Sequence, residues 1–139
     1  MSIVEVKNLS KFYEQGLNRV AALHDVNLTI EAGDFVALAG PSGSGKTTLL
    51  NLIGALDHPS HGNIVVDGVD LQKLSATELS RLRRDRIGFV FQSFNLIPVL
   101  TAYENTEFVL MLREVTTSER YERVMNILSE VGLAGLERR

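Results

Sequence analysis

Residues 35–56 read Phe35-Val36-Ala37-Leu38-Ala39-Gly40-Pro41-Ser42-Gly43-Ser44-Gly45-Lys46-Thr47-Thr48-Leu49-Leu50-Asn51-Leu52-Ile53-Gly54-Ala55-Leu56. The first five residues are short and continuously apolar, which suits a strand covered on both faces, as in parallel α/β sheets. Gly40 to Gly45 is glycine-rich, and the stretch from Lys46 to about Leu56 has the apolar content of a packed helix. Two glycines five apart followed by Lys and Thr match a phosphate-binding loop. Gly43 and Gly45 can take backbone angles closed to other residues. Successive N–H groups then converge into an anion-binding nest. A helix opening at Lys46 adds unpaired N–H groups and the positive end of its dipole. Lys46 supplies a full charge for the β- and γ-phosphates, the Thr47 hydroxyl suits Mg²⁺, and Thr48 can donate to the α-phosphate. A flexible Gly/Ser loop would share the composition of Gly40, Pro41, Ser42, Gly43, Ser44 and Gly45, but not the strand before it and the helix after it. A dinucleotide fingerprint fits poorly, since Lys46-Thr47-Thr48 stands where a third glycine is needed.

Outward from this loop, strands and turns alternate toward the N-terminus. Val4 and Val6 alternate with Glu5 and Lys7, predicting a half-buried strand toward Leu9 that Phe12 and Tyr13 extend. Glu14 to Asn18 reads as a polar turn. Val26, Leu28 and Ile30 alternate with Asn27 and Thr29 in a second strand, closed by the turn Glu31-Ala32-Gly33-Asp34. On the other side, Asp57 to Gly62 reads as a loop. Asn63 to Asp67 is a strand closed by Gly68, and Ile87 to Phe91 is another apolar strand. Three capping-box spacings, Ser75 with Glu78, Thr101 with Glu104 and Thr116 with Glu119, predict three helices. The first runs to about Arg86 and the second to about Leu112. In the third, Tyr121, Val124, Leu128 and Val131 share a face, and Gly132 suits the position after the helix.

The 139 residues are 45% hydrophobic and 22% charged, enough apolar surface for a single packed domain. The net charge of -3 argues against nucleic-acid binding driven by overall charge. The absence of cysteine excludes disulfides, zinc-thiolate sites, iron–sulfur clusters and thiol nucleophiles, and fits a cytosolic chain. The first residues lack a signal-peptide pattern. No apolar run approaches the length of a membrane span. His58 and His61 have a metal-like spacing with no third ligand nearby and read as loop histidines. Arg81, Arg83, Arg84 and Arg86 read as a solvated helix face.

Taken together, these motifs resemble the ATP-binding subunits of ABC transporters over essentially the whole chain. Besides the phosphate loop, the resemblance rests on Tyr13, on Pro59-Ser60-His61-Gly62 followed by Val66-Asp67-Gly68, and on Ile87-Gly88-Phe89-Val90-Phe91-Gln92. The wording from Phe94 to Asn105 is similar to the lipoprotein-releasing and macrolide-exporter branch, the relatives of LolD, MacB and FtsE. The resemblance implies an α/β P-loop NTPase fold with a β-rich nucleotide-binding part over 1–92 and the start of a helical subdomain over 93–139. It implies that ATP and Mg²⁺ are bound. Tyr13 stacks on adenine, Val20 lines the same site, Gly40 to Thr48 hold the phosphates, and Thr47 and Gln92 reach the metal. Lys46 and Gln92 are the residues tied to catalysis, Gln92 also coupling nucleotide to a membrane partner. Leu96 to Leu100 lies either at the groove for a transmembrane subunit or in subdomain core. The implied partners are a transmembrane permease and a second ATP-binding subunit, without nucleic acid, on the cytoplasmic face of the membrane.

The sequence departs from the family pattern after Gln92. Leu128-Ser129-Glu130-Val131-Gly132 lacks the paired glycines of a signature loop. No run of four apolar residues ends in Asp-Glu, so neither a Walker B strand nor its glutamate is found, and no switch histidine follows. The expectation is therefore a fragment with an incomplete core sheet, which binds MgATP with little or no turnover. Two other readings stay open: a non-catalytic nucleotide-binding or regulatory module, and a small P-loop kinase, against which two strands before the loop argue. An ABC-type DNA-repair or chromosome-structure ATPase fits the post-Gln92 wording and the acidic balance less well.

Overall fold

The computed structural model describes residues 1–16 and 18–139. They form two compact units, residues 1–83 and 84–139. Leu17, in the expected turn of residues 14–18, lies outside the described residues.

The first unit is built on an antiparallel sheet. β1 (Ser2–Gln15) pairs with β2 (Asn18–Glu31) on one side and with β3 (His61–Val66) on the other. A short β4 (Val69–Asp70) pairs with β3, so the order is β2-β1-β3-β4. The alternation read in the sequence is what builds it. Val4 and Val6 are buried while Lys7 is exposed, and Leu28 and Ile30 face the same core as Ile64 and Val66. Asp67 and Gly68, both at positive φ (49° and 74°), make the tight turn that joins β3 to β4. Across the sheet lies α1 (Lys46–Ile53), which buries Leu49 and Leu52. A 3-10 turn at Leu71–Lys73 adds Leu71, and α2 (Ala76–Arg86) adds Leu79.

The β1–β2 pair is not regular. Val6 faces Leu28 and Leu9 faces Val26, so β1 carries an extra residue, Asn8, at φ 50°. β2 answers with two extra residues, Asp25 at φ 49° and Ala22. Asn and Asp tolerate that left-handed backbone better than other side chains. The bulges are tied together: Asn8 Nδ2 donates to Asp25 Oδ1 (2.9 Å), and the Asp25 N–H donates to buried Ser10 Oγ (3.0 Å). The Asn8 bulge also explains Gly62, because a Cβ there would lie 2.4 Å from the Asn8 carbonyl oxygen.

The second unit is helical. α3 (Ala102–Leu112) opens with a complete capping box: Glu104 N–H donates to Thr101 Oγ1 and the Thr101 N–H to Glu104 Oε2 (3.2 and 2.7 Å). The next N–H groups of α3, on Ala102 and Tyr103, donate to the carbonyls of Arg139 and Glu137 (2.8 and 2.9 Å). α4 (Thr117–Glu130) packs on α3, with Val124 and Leu128 buried and Arg120 paired to Glu107 at 2.8 Å. Gly132 N–H bonds to the Ser129 carbonyl and Leu133 N–H to the Leu128 carbonyl, the double closure expected after a helix that ends in glycine.

Several expectations are corrected. Phe35–Ala39 and Ile87–Phe91 are not strands, and Phe35 and Val90 are fully exposed. A strand meant to be covered on both faces forms only with neighbours to hydrogen-bond, and neither segment is paired into a sheet. The one described sheet is antiparallel. Thr116 does not cap α4 with its side chain and lies 3.4 Å from Ser118 Oγ instead, so the third capping box is not formed. Tyr121 on α4 and Val131 just after it are exposed, leaving Val124 and Leu128 as the buried part of the expected face. The fold class stands: an α/β chain with the β-rich part first and helices after it.

Candidate nucleotide site

The phosphate loop is held against β2 by its own backbone. Gly45 is the residue before α1, at φ 85°. A Cβ on it would meet the Ala22 carbonyl oxygen at 2.5 Å and Leu23 Cδ2 at 2.8 Å. The Gly45 backbone thus packs directly on the β2 bulge at Ala22. Ala22, with Ser42, Gly43, Ser44, Gly45, Lys46, Thr47 and Thr48, lines a cavity of about 450 Å³, in the range of ligand sites.

The electrostatics of this cavity favour an anion. No side chain caps the N-terminus of α1, and no acidic residue stands in its first turn. The first N–H groups of a helix have no partner within it, and the helix dipole places positive charge at the same point. Lys46 adds a full charge and is itself positioned by the loop. Its Nζ donates to the carbonyls of Gly40 (2.9 Å) and Pro41 (2.7 Å) and to Ser44 Oγ (3.2 Å). All nine residues from Gly40 to Thr48 thus belong to one loop and helix start. Thr47 and Thr48, on the first turn of α1, and Ser42 and Ser44 in the loop all bring hydroxyl side chains to the cavity lining. A hard divalent ion such as Mg²⁺ takes few protein ligands, the rest being phosphate oxygens and water, so one hydroxyl suits it.

Tyr13 and Val20 face each other across the β1–β2 pair and are both exposed, at 39% and 44%. Val20 stands two residues along β2 from Ala22, but neither it nor Tyr13 lines the cavity at the loop. Tyr13 is anchored from beside. Its hydroxyl donates to Asp57 Oδ2 at 3.0 Å. Lys11 Nζ lies over the ring, 4.9 Å from its centre, and pairs with Asp57 Oδ1 at 2.7 Å. Lys11 also donates to the His58 carbonyl, and the His58 N–H donates to Asp57 Oδ1 (both 2.7 Å). Burial pushes the Asp57 carboxyl up, but the bonds from Lys11, His58 and Tyr13 together hold it below the usual aspartate range.

Gln92 belongs to the second unit, in an irregular exposed stretch rather than at the end of a strand. Leu96 and Val99 nearby are exposed. Here the structure adds a residue that sequence reasoning passed over. The Asn105 side chain accepts from Ile97 N–H (2.8 Å) and donates to the carbonyls of Ile97, Leu100 and Thr101 (3.2, 3.1 and 3.0 Å). His61 packs edge-on against Phe12, and no cluster of three metal-ligating side chains occurs among the described residues. Of the arginine cluster, Arg83 donates to the Ala55 carbonyl at 2.6 Å and Arg84 pairs with Asp85 at 2.8 Å. Those two arginines are therefore engaged in structure rather than simply solvated.

Residues 23–139 match the family model described as ABC transporter. The chain belongs to the ABC transporter family. An uncharacterized ABC transporter ATP-binding protein of Methanocaldococcus jannaschii, MJ0796, is 45% identical over 137 residues, covering 99% of this chain and 58% of that protein. The macrolide export ATP-binding/permease protein MacB of Neisseria gonorrhoeae is 43% identical, over 99% of this chain and 21% of MacB. This agrees with the branch read from the segment after Gln92. The dimeric post-hydrolysis structure of the ATP-binding cassette MJ0796, bound to ADP and Pi, superposes with a TM-score of 0.84 at 46% identity, over 91% of this chain and 56% of that one. The chain thus spans little more than half the length of MJ0796. Membership of the ABC family displaces the small-kinase reading. No helix among the described residues is long and apolar enough to cross a membrane.

Proposed function

We propose that this chain is the nucleotide-binding part of an ABC cassette that binds MgATP, in a parent protein that couples ATP hydrolysis to export or lipoprotein release. The observation that carries the reading is the start of α1: an uncapped helix N-terminus, free of acidic residues, behind a glycine loop whose lysine is held by the loop's own carbonyls. Gly40 to Thr48 cradle the phosphates, with Lys46 against the β- and γ-phosphates and Thr47 toward Mg²⁺. Tyr13 stacks on the adenine beside Val20. Gln92 completes the metal shell in the parent and reports the γ-phosphate to a membrane partner. Residues 1–92 act as the nucleotide-binding part and 93–139 as the start of the helical subdomain.

Hydrolysis needs a positioned water and metal besides a phosphate cradle. The 139 residues contain no signature loop, Walker B strand or switch histidine, so the chain by itself binds with little or no turnover. In the parent it pairs with a second ATP-binding subunit and a transmembrane permease, at the cytoplasmic face of the membrane. The relatives named above support these assignments: a dimeric cassette and a protein named as both ATP-binding and permease. Calorimetric titration with MgATP tests the reading. We expect saturable binding, weakened about tenfold or more by Lys46→Ala, since a charged contact to phosphate is lost. Binding unaffected by that change, or Lys46-dependent ATP hydrolysis by the chain alone, contradicts it.

A further inference from the structure

Tyr13 sits in a network that the phosphate loop does not need. Asp57 holds the phenol through one carboxylate oxygen at 3.0 Å and the Lys11 ammonium through the other at 2.7 Å. Lys11 is nearly buried, with 12% of its side chain exposed, and its Nζ lies over the Tyr13 ring at 4.9 Å. One face of the ring is therefore covered by a cation, while the residue as a whole keeps 39% of its surface exposed. A tyrosine near the end of a strand otherwise rotates about two side-chain bonds. A hydrogen bond at its far end and a cation on one face remove that freedom.

The anchor is also tied to the phosphate helix. Asp57 follows α1 by four residues, and Arg83 fixes the intervening turn through the Ala55 carbonyl. Asp57 and Lys11 together therefore connect the ring on β1 to the end of the helix whose start faces the phosphates.

We propose that Asp57 and Lys11 are positioning residues for the nucleotide base: they fix the Tyr13 ring so that its uncovered face is ready to stack on a purine. The inference rests on the reading of Tyr13 as the base platform given above. Its physical content is pre-organisation. Binding to a ring already fixed avoids the cost of ordering that ring. A cation on the covered face also draws ring electron density toward itself, which lessens repulsion with the π cloud of a base on the other face.

Binding of two probes to the full chain separates the possibilities: MgATP, which carries a base, and magnesium tripolyphosphate, which does not. We expect Asp57→Ala and Tyr13→Phe each to weaken MgATP about threefold to tenfold, the range of one hydrogen bond. Tripolyphosphate should stay within about twofold for both, because the cradle is untouched. The double variant should be no weaker than Asp57→Ala alone, since without Asp57 the phenol hydroxyl has already lost its bond. Tyr13→Phe keeps the ring and the fold if Asp57→Ala is poorly folded. Three outcomes overturn the inference: MgATP affinity unchanged in both variants, equal losses for the two probes, or additive losses in the double variant. Tyr13→Ala distinguishes the layers. If it weakens MgATP while Asp57→Ala and Tyr13→Phe do not, the platform stands and the positioning role falls. If it leaves MgATP unchanged, the platform reading itself falls, and the positioning role with it.

Discussion

At the scale of single residues, the site depends on a few positions whose chemistry allows no substitute. Gly45 is one, because its backbone is left-handed and the Ala22 carbonyl occupies the place of a side chain. Gly45→Ala is expected to lower stability by about 2–4 kcal/mol, adding backbone strain to a clash, as read from denaturant midpoints. The sequence marked Gly45 through its spacing to Lys46, but its contact partner was not legible. Ala22 is an unremarkable alanine until a bulge aims its carbonyl at the loop. Asp57 was legible only as a turn residue. Its carboxyl is held below the usual range, so the folded state binds its proton less readily than the unfolded state. The stabilisation from this site is therefore full above the ordinary aspartate value of about 3.9 and is lost as pH falls through the lower folded value. Wild type should exceed Asp57→Asn in stability at neutral pH, and the gap should close in acid below both values. A gap that stays constant with pH would show that the charge contributes nothing.

At the scale of elements, local rules in the sequence worked where the partner lay within a few residues. The Thr101–Glu104 box and the glycine closure after α4 are formed as read, because each needs only its own turn of chain. The Ser75–Glu78 box likewise opens α2, with the Ser75 N–H donating to Glu78 Oε2 at 2.8 Å. The Thr116–Glu119 spacing has the same form, yet the Thr116 hydroxyl turns to Ser118 and Glu119 pairs with Arg123. Spacing permits a box; competition among nearby side chains decides it. Asn105 is the opposite case, a residue in the first turn of α3 whose four bonds organise the chain before the helix. Nothing in its spacing announces that. Asn105→Ala removes the acceptor for the Ile97 N–H, and amide exchange at Ile97 should speed about tenfold or more, the loss of one net hydrogen bond. Unchanged exchange would mean that the loop keeps its shape by other contacts.

At the scale of the whole molecule, β1, β2 and β3 were legible because alternation is written in them, whereas the two-residue β4 has none to show. The segments at 35–39 and 87–91 were not, for a reason that lies in hydrogen bonding. A short apolar run states that a segment suits cover on both faces, and says nothing of what provides it. Here Phe35 and Val90 stand fully exposed, in a chain that spans 58% of the length of MJ0796. The supports of the phosphate loop are local: the Ala22 bulge, the Lys46 bonds to the loop carbonyls, and the core contacts of Leu49 and Leu52. The base platform is local too, carried by the β1–β2 pair and Asp57. The phosphate loop and the base platform thus both fall within residues 1–83, while Gln92 belongs to the second unit. The most direct measurement is a two-dimensional NMR titration of the chain with MgATP. Saturable shifts of the Gly43, Gly45, Lys46 and Thr47 amides are expected together with those of Tyr13 and Val20. Saturable shifts confined elsewhere, or none in the phosphate loop, would contradict it.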